Sequence, residues 1–336
     1  MLTRLIFGLL LVSAAACGRR ARAPAFGLPP RPDAPVGNAS SPAKIALGRE
    51  LFFDKRLSSD GTIACASCHR PDQMFAGHER VAVGVGGALG NHNVPSLYNV
   101  AYLPRLMSDG RAGSLEAQVR YPVRHPSELS SDEDDVEARI AADPHYAAEF
   151  ARVFGDEPVT YEHVTMALAA FERELLAGDS PFDRFFLEHD EGALSPAARR
   201  GWELFRGKAG CIQCHQLDAA NSFLTDFDYH NTGIGSERAQ PELGFWVMSK
   251  QRSDIGKFRT PSLRSVAVTA PYMHDGRFAT LDEVVDFYDR GGIPNRRLDE
   301  RLHPLGLSAD EKHDLVELLR SFTCRSLSAP GGEAAL

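Results

Sequence analysis

Basic runs are missing from this 336-residue sequence. Its 37 Lys and Arg are outnumbered by 45 Asp and Glu, for a net charge of −8. Nucleic acid is therefore not an expected partner. Long apolar runs are missing too, apart from one at the very N-terminus, so no later segment is expected to span a bilayer. Tryptophan is scarce, with Trp202 and Trp246 alone. What is present is an ordinary globular balance, 43% apolar and 24% charged. That suffices for one large core or two of usual size, and excludes a disordered chain or a disulfide mini-scaffold.

The N-terminal run reads as an export signal over residues 1–16. Arg4 gives the positive start, Leu5 to Val12 the short apolar stretch, and Ala14, Ala15 and Ala16 the small residues before a cut. The cut falls before Cys17, as in a bacterial lipoprotein signal, although Ala14 stands where Leu is usual. Two readings stay open, a lipid anchor on Cys17 and plain cleavage, and both take the protein to the periplasm. Residues 17–41, rich in proline (Pro24, Pro29, Pro30, Pro32, Pro35), read as a linker.

Six cysteines in an exported chain suggest disulfides by default. Their spacing says otherwise. Cys65-Ala-Ser-Cys68-His69 and Cys211-Ile-Gln-Cys214-His215 are both C-x-x-C-H, the attachment signature of c-type haem. Two covalent haem c groups follow, with His69 and His215 as iron ligands. A zinc ribbon brings its pairs much closer together, about 15–20 residues apart. Cys324 is left over and is expected to be a buried apolar thiol.

The chain also repeats itself. Gly48-Arg-Glu-Leu-Phe52 precedes the first haem motif, and Gly201-Trp-Glu-Leu-Phe205 the second. After each motif, Pro95-Ser96-Leu97, Val100-Ala101, Met107, Asp109-Gly110-Arg111, Leu115 and Val119 recur 166 positions later as Pro261-Ser262-Leu263, Val266-Ala267, Met273, Asp275-Gly276-Arg277, Leu281 and Val285. Two haem domains related by internal duplication are the expected architecture.

The copies differ where chemistry is at stake. The same offset sets Pro122 against Tyr288, Gln118 against Val284 and Glu128 against Pro294. A tyrosine oxygen can ligate haem iron, and proline cannot. One iron is then capped by Tyr288, while the other stays open beside a carboxylate and an amide. Peroxide activation fits such a site, with Glu128 as general base and then acid and Gln118 orienting. Read from spacing alone, Glu128 could equally be a surface carboxylate before the acidic run Asp132–Asp135, and Tyr288 a core aromatic. Met273 and His274 are rival ligands.

These motifs, with Val83-Gly84-Val85-Gly86-Gly87, Asn93-Val94-Pro95-Ser96 and Thr269-Ala270-Pro271-Tyr272, resemble the bacterial di-haem cytochrome c peroxidase and MauG superfamily over residues 42–324. The resemblance implies that Gln118 and Glu128 lie on the peroxide side of the first haem. It also implies that Asn93, Thr269 and Pro271 hold a Ca²⁺ between the haems, the last two by backbone carbonyl. Members needing reductive activation carry a His where this chain has Val85, so the first iron is expected to be open at rest. His78 and His92 lie nearby without aligning. Tyr288 stands where classical peroxidases have Met, and this looks like MauG. The family's inter-haem Trp, just before Asp109, is replaced by Ser108. Tyr98 or Tyr102 could stand in for it.

Three functions follow. The first is a di-haem peroxidase that uses hydrogen peroxide to form high-valent haem and oxidise aromatic residues of a partner protein, as MauG does. The second is a cytochrome c peroxidase drawing electrons from a small cytochrome or cupredoxin. The third is a non-catalytic di-haem electron carrier. The expected fold is mainly α, with two cytochrome c-like haem domains and little β. The domains run over 42–190 (peroxidatic) and 191–325 (electron transfer), with a tail at 326–336. Helices are expected near 42–54, 160–176, 195–206, 281–289 and 308–322. Monomer and homodimer are both open.

Overall fold

The structure is a computed structural model that describes residues 26–217 and 222–328; the signal segment and Cys17 lie outside the described residues. Helix α1 (Pro42–Phe53) starts where Ser41 accepts a hydrogen bond from the Lys44 N–H, with Pro42 in the first turn. It is followed by α2 (Leu115–Arg124), α3 (Glu133–Ala141), α4 (Pro144–Phe154) and α5 (Tyr161–Glu172). After strand β1 (Leu176–Gly178) come α6 (Pro181–Glu188) and α7 (Pro196–Arg206). The chain then forms β2 (Tyr229–His230), β3 (Phe258–Arg259), α8 (Leu281–Asp289), α9 (Ala309–Ser321) and β4 (Ser326–Ser328). β1 pairs antiparallel with β4, and β2 with β3. Mainly helical with little sheet is what the sequence implied.

Two apolar cores form. The first runs from Leu47 to Leu175 and centres on Phe52, Leu168 and Phe171. The second runs from Phe182 to Phe322 and includes Trp202, Phe205 and Leu318. Each is built on the same crossing. α1 meets α5 at Gly48, where an added Cβ would lie 1.9 Å from the Ala167 carbonyl oxygen. α7 meets α9 at Gly201, where a Cβ would lie 2.1 Å from that of Asp314. In both, glycine lets two helix backbones touch.

The 166-residue offset carries into the backbone. Leu106 bridges to Ala112, and Tyr272 to Phe278. Across the seam between the cores, Asn93 N donates to His274 O and Arg259 N to Ser108 O, each at 2.8 Å. These two bonds are related by the same offset, so the loops 92–111 and 258–277 meet as near-equivalents.

Three expectations need correction. Residues 26–41 are not a free linker. Leu28 is buried against Leu176 and Phe223. The Gly27 carbonyl accepts from Arg264 Nη2 at 2.6 Å, and the Tyr102 hydroxyl donates to Pro29 O at 3.0 Å. Proline keeps this segment extended, and the body meets its carbonyls. The boundary at 190 falls too late, because Phe182 on α6 already packs on Trp202 and Phe322, with ring centroids 5.2 and 4.9 Å away. The tail at 326–336 does not start free of the body, because its first residues form β4 and pair with β1.

Helix α5 ends at Glu172, short of 176, and the acidic run before α3 serves it directly: Asp132 caps the helix, accepting from Asp135 N at 2.8 Å. No helix among the described residues is long and apolar enough to cross a membrane.

Candidate active site

Each C-x-x-C-H motif occupies a single turn, with its histidine just after it. His69 Nδ1 lies 3.0 Å from Phe75 O and 3.1 Å from Pro95 O; His215 Nδ1 lies 3.0 Å from Leu224 O. A proton on Nδ1 satisfies these carbonyls and leaves the Nε2 lone pair for a metal. Burial lowers the pKa of both imidazoles, favouring this neutral ligand form. Cys65, Cys68, Cys211 and Cys214 are all free thiols. Burial pushes Cys65 and Cys211 up to about 12.

Both motifs open into one continuous cavity of about 1020 Å³. That is at the upper end of the ~300–1,000 Å³ usual for a small-molecule site. Arg259 lines it with no hydrogen-bond or ion-pair partner for its guanidinium among the described residues, and burial lowers its pKa. An unpaired buried guanidinium suits an incoming carboxylate such as a haem propionate. Free sulfurs, free Nε2 atoms, cavity size and this donor together fit haem.

In the first half, α2 sends Leu115, Val119 and Val123 into the core and turns Gln118, Tyr121 and Pro122 to the cavity. Pro122 has no N–H to give the Gln118 carbonyl, so the helix ladder is interrupted on that face. Gln118 Nε2 sits 3.8 Å from Met107 Sδ. Glu128, on the turn after α2, also lines the cavity, 3.7 Å from His125 Nδ1. Burial raises its pKa, against the pull of His125, His92 and Arg111. Its charge is felt at both Cys65 and Cys68. It is therefore not the surface carboxylate that its acidic neighbours suggested. The loop carrying Val85 packs directly on it: Val85 N donates to Glu128 O at 2.9 Å, and a Cβ on Gly84 would lie 2.5 Å from that oxygen. Val85 itself is not on the cavity wall.

In the second half, α8 repeats the arrangement. Leu281 and Val285 enter the core while Val284 and Tyr288 face the cavity. Burial and the nearby Cys214 and Cys211 raise the Tyr288 pKa, and its hydroxyl has no hydrogen-bond partner among the described residues. It is not a packed core aromatic. The offset pairs 118 with 284 and 122 with 288 on matching helix faces, so the chemical difference between the halves is a difference between two walls.

Asn93, Thr269 and Pro271 line the same cavity. Asn93 Nδ2 donates to Glu79 O and Arg80 O at 3.2 and 3.4 Å, which leaves Oδ1 as the outward atom. His274, one rival ligand, also lines the cavity: its ring stacks on Phe258 at 3.8 Å, and its Nε2, 3.3 Å from Glu242 Oε2, has no hydrogen-bond partner among the described residues. His78 pairs with Glu79 and is off the cavity wall.

Neither Tyr98 nor Tyr102 takes the place of the family's tryptophan. Tyr98 packs on Phe75 inside the first half, and Tyr102 binds the Pro29 carbonyl. The side chain beside Ser108 is His92, with Nδ1 3.4 Å from the Ser108 hydroxyl. Cys324 is buried as expected but is not purely apolar in its surroundings, since Arg264 Nη1 lies 3.6 Å from its sulfur.

Sequence reasoning missed His230. It is held between Asp226 at 2.9 Å and Asp299 at 2.7 Å, and forms a ligand-like group with Asp226 and Cys214. Cys214 belongs to the haem motif, so this cluster sits at the edge of that site. No spacing rule links positions 226, 230 and 299.

A family model described as di-haem cytochrome c peroxidase matches residues 42–192. The methylamine utilization protein MauG of Methylorubrum extorquens is 40% identical over 290 residues, covering 85% of this chain and 80% of its own length. The cytochrome-c peroxidase IdrP1 of a Pseudomonas species is 36% identical over 344 residues, covering 95% and 89%. Among solved structures, a MauG-like protein associated with microbial copper homeostasis superposes with a TM-score of 0.79 at 33% identity, covering 90% of this chain and 96% of that one. The diheme peroxidase BthA from Burkholderia thailandensis gives 0.75 at 26%, covering 94% and 97%.

Proposed function

Because the chain belongs to the di-haem cytochrome c peroxidase family, MauG included, and is thus a di-haem oxidoreductase, we propose that it uses hydrogen peroxide to oxidise aromatic residues of a partner protein in the manner of MauG. Cys65, Cys68 and His69 hold one haem c; Cys211, Cys214 and His215 hold the other. Once bound, the haems supply one iron for peroxide and a second to store and relay oxidising equivalents.

The observation that carries this reading is the contrast between corresponding walls, Pro122 with Gln118 and Glu128 on one side, Tyr288 on the other. The Glu128 carboxylate takes the proton from the inner peroxide oxygen and returns it to the outer one. A pKa raised by burial makes the return easier. Gln118 orients the substrate through its amide N–H. With haem bound at Cys211, Cys214 and His215, the Tyr288 oxygen would supply a second protein ligand to that iron, and an anionic oxygen stabilises oxidised iron better than a thioether does. With Val85 in the loop over Glu128, that loop brings no imidazole to the first site.

Asn93 Oδ1 and the carbonyls of Thr269 and Pro271 would hold one Ca²⁺, a hard-oxygen set that water would complete. The two halves descend from one duplicated haem domain. The reading puts the protein in the periplasm, either released by cleavage or held there by a lipid on Cys17.

Absorption and EPR spectra of the resting diferric protein, before and after one equivalent of peroxide, test the reading. One high-spin and one low-spin haem, with a persistent oxidised spectrum after peroxide, are expected. Two low-spin haems that ignore peroxide would overturn it. A second reading, peroxide removal with electrons from a small cytochrome, is favoured by Ser108, which removes the family's inter-haem tryptophan. Peroxide-dependent oxidation of a reduced small cytochrome, with no partner modified, would establish it.

A further inference from the structure

The seam between the two haem sites carries a side-chain arrangement that no motif announced. His92 and Ser108 come from the first half, and Phe258 and His274 stand at the corresponding positions 166 residues later. The four meet across the seam. His274 stacks on Phe258 at 3.8 Å, and His92 stands edge-on to both, with centroids 5.5 Å from His274 and 6.1 Å from Phe258. The paired backbone bonds Asn93–His274 and Arg259–Ser108 fix the two loops against each other.

Glu242 stands between the imidazoles, hydrogen-bonded to His92 and within ion-pair distance of His274. Its Oε2 lies 3.0 Å from His92 Nε2 and 3.3 Å from His274 Nε2, while its other oxygen pairs with Arg238. Burial opposes charge on this carboxylate, but the two histidines outweigh it and hold its pKa far below the usual range. His92, Ser108, Glu242, Phe258 and His274 all line the cavity into which both haem motifs open. A small residue at 108 is what makes room: His92 Nδ1 reaches to 3.4 Å from the Ser108 hydroxyl.

We propose that His92 and His274, locked edge to face and joined through Glu242, are the relay that couples the two haem sites of this chain. The inference rests on the two-haem reading above and names the groups that serve it here. Conjugated rings in van der Waals contact carry electronic coupling further than an open, hydrated gap does. With haem bound at both motifs, the step these residues would serve is a plain exchange, one electron given up on one side of the seam and accepted on the other. No proton or further reductant is consumed.

The test is intramolecular equilibration in the haem-loaded protein. A substoichiometric pulse of photoreduced flavin is given to the diferric form, and redistribution between the two haem bands is followed. His92→Ala is expected to slow it about tenfold, within the range by which a packed network modulates coupling. Glu242→Gln, which keeps the shape, is expected to slow it as well. Adding Ser108→Trp to His92→Ala should restore the rate by returning a ring to the gap. Resting spectra of both haems should be unchanged in every variant, which separates coupling from misfolding. An unchanged rate in both His92→Ala and Glu242→Gln would overturn the proposal, as would a wild-type protein whose haems do not equilibrate. The measurement needs no open iron: failure to react with peroxide, with the slowed exchange intact, would sink the functional reading alone.

Discussion

Gly48 rests against the carbonyl oxygen of Ala167 so closely that a Cβ on it would lie 1.9 Å away. Gly48→Ala must push α1 off α5 or strain both backbones. A loss of about 3 kcal/mol is expected, at the upper end of overpacking costs. Gly113→Ala, with nothing within 4 Å of its added carbon, is the control and should stay within about 0.5 kcal/mol of wild type. Denaturant midpoints of the two variants check this.

Glu128→Gln keeps the size of the side chain and removes the base. Peroxide consumption should fall by about 10²–10⁴, the usual range for a lost general acid–base group, with the resting spectrum unaltered. Since burial raises the Glu128 pKa, the acidic limb of the wild-type rate profile should lie above the ordinary carboxylate range. A variant that decays peroxide at the wild-type rate removes Glu128 from the site.

Tyr288→Phe should change the low-spin haem spectrum and leave the high-spin one alone, because Tyr288 faces the Cys211–His215 side of the cavity. EPR of the two proteins side by side is decisive. Identical low-spin signals would mean that another atom caps that iron.

Glu172 gives a pH dependence of stability. It is 5% exposed, none of its side-chain atoms has a hydrogen-bond partner among the described residues, and burial pushes its pKa up to about 8 from 4.5. Between those values the folded chain binds a proton that the unfolded chain has released. Stability should therefore fall as pH rises from about 4.5 to about 8 and level off above. Glu172→Gln should flatten that decline. Urea titrations at pH 5, 7 and 9 distinguish the two curves.

Calcium removal gives the last expectation. A chelator should shift the spectra of both haems, since Asn93, Thr269 and Pro271 line the cavity that both motifs share. Asn93→Ala should make that loss occur at lower chelator concentration. Metal analysis of the purified protein, returning no calcium, would remove the assignment.

The haem motifs, the pairing of positions 166 apart and helix α8 were legible, because each is written in spacing along the chain. Leu281, Val284, Val285 and Tyr288 needed only helical periodicity to sort into core and cavity. What escaped depends on contacts distant in sequence. Glu242 reaches His92 across 150 positions, and His230 finds Asp299 across 69, and neither leaves a periodic trace. Helix α2 escaped because Pro122 interrupts it, and α6 because its apolar face is claimed by a core whose other members come later. The proline-rich segment misled in the opposite way. Proline describes an extended backbone, and Arg264 then decides that its start, at Gly27 and Leu28, is held against the body rather than free.

Were Cys17 lipidated, the strap that begins at Phe26 would also set the length of a leash. The body grips the chain from Phe26 and Gly27 onward, through Asp179 N on the Phe26 carbonyl and Arg264 on the Gly27 carbonyl. Eight residues, 18–25, then lie between Cys17 and the grip, a reach of about 30 Å when fully extended. Anchored at Cys17, the molecule would be held within about its own width of the lipid surface. A protein substrate would have to come to it sideways along the membrane or be small enough to pass beneath.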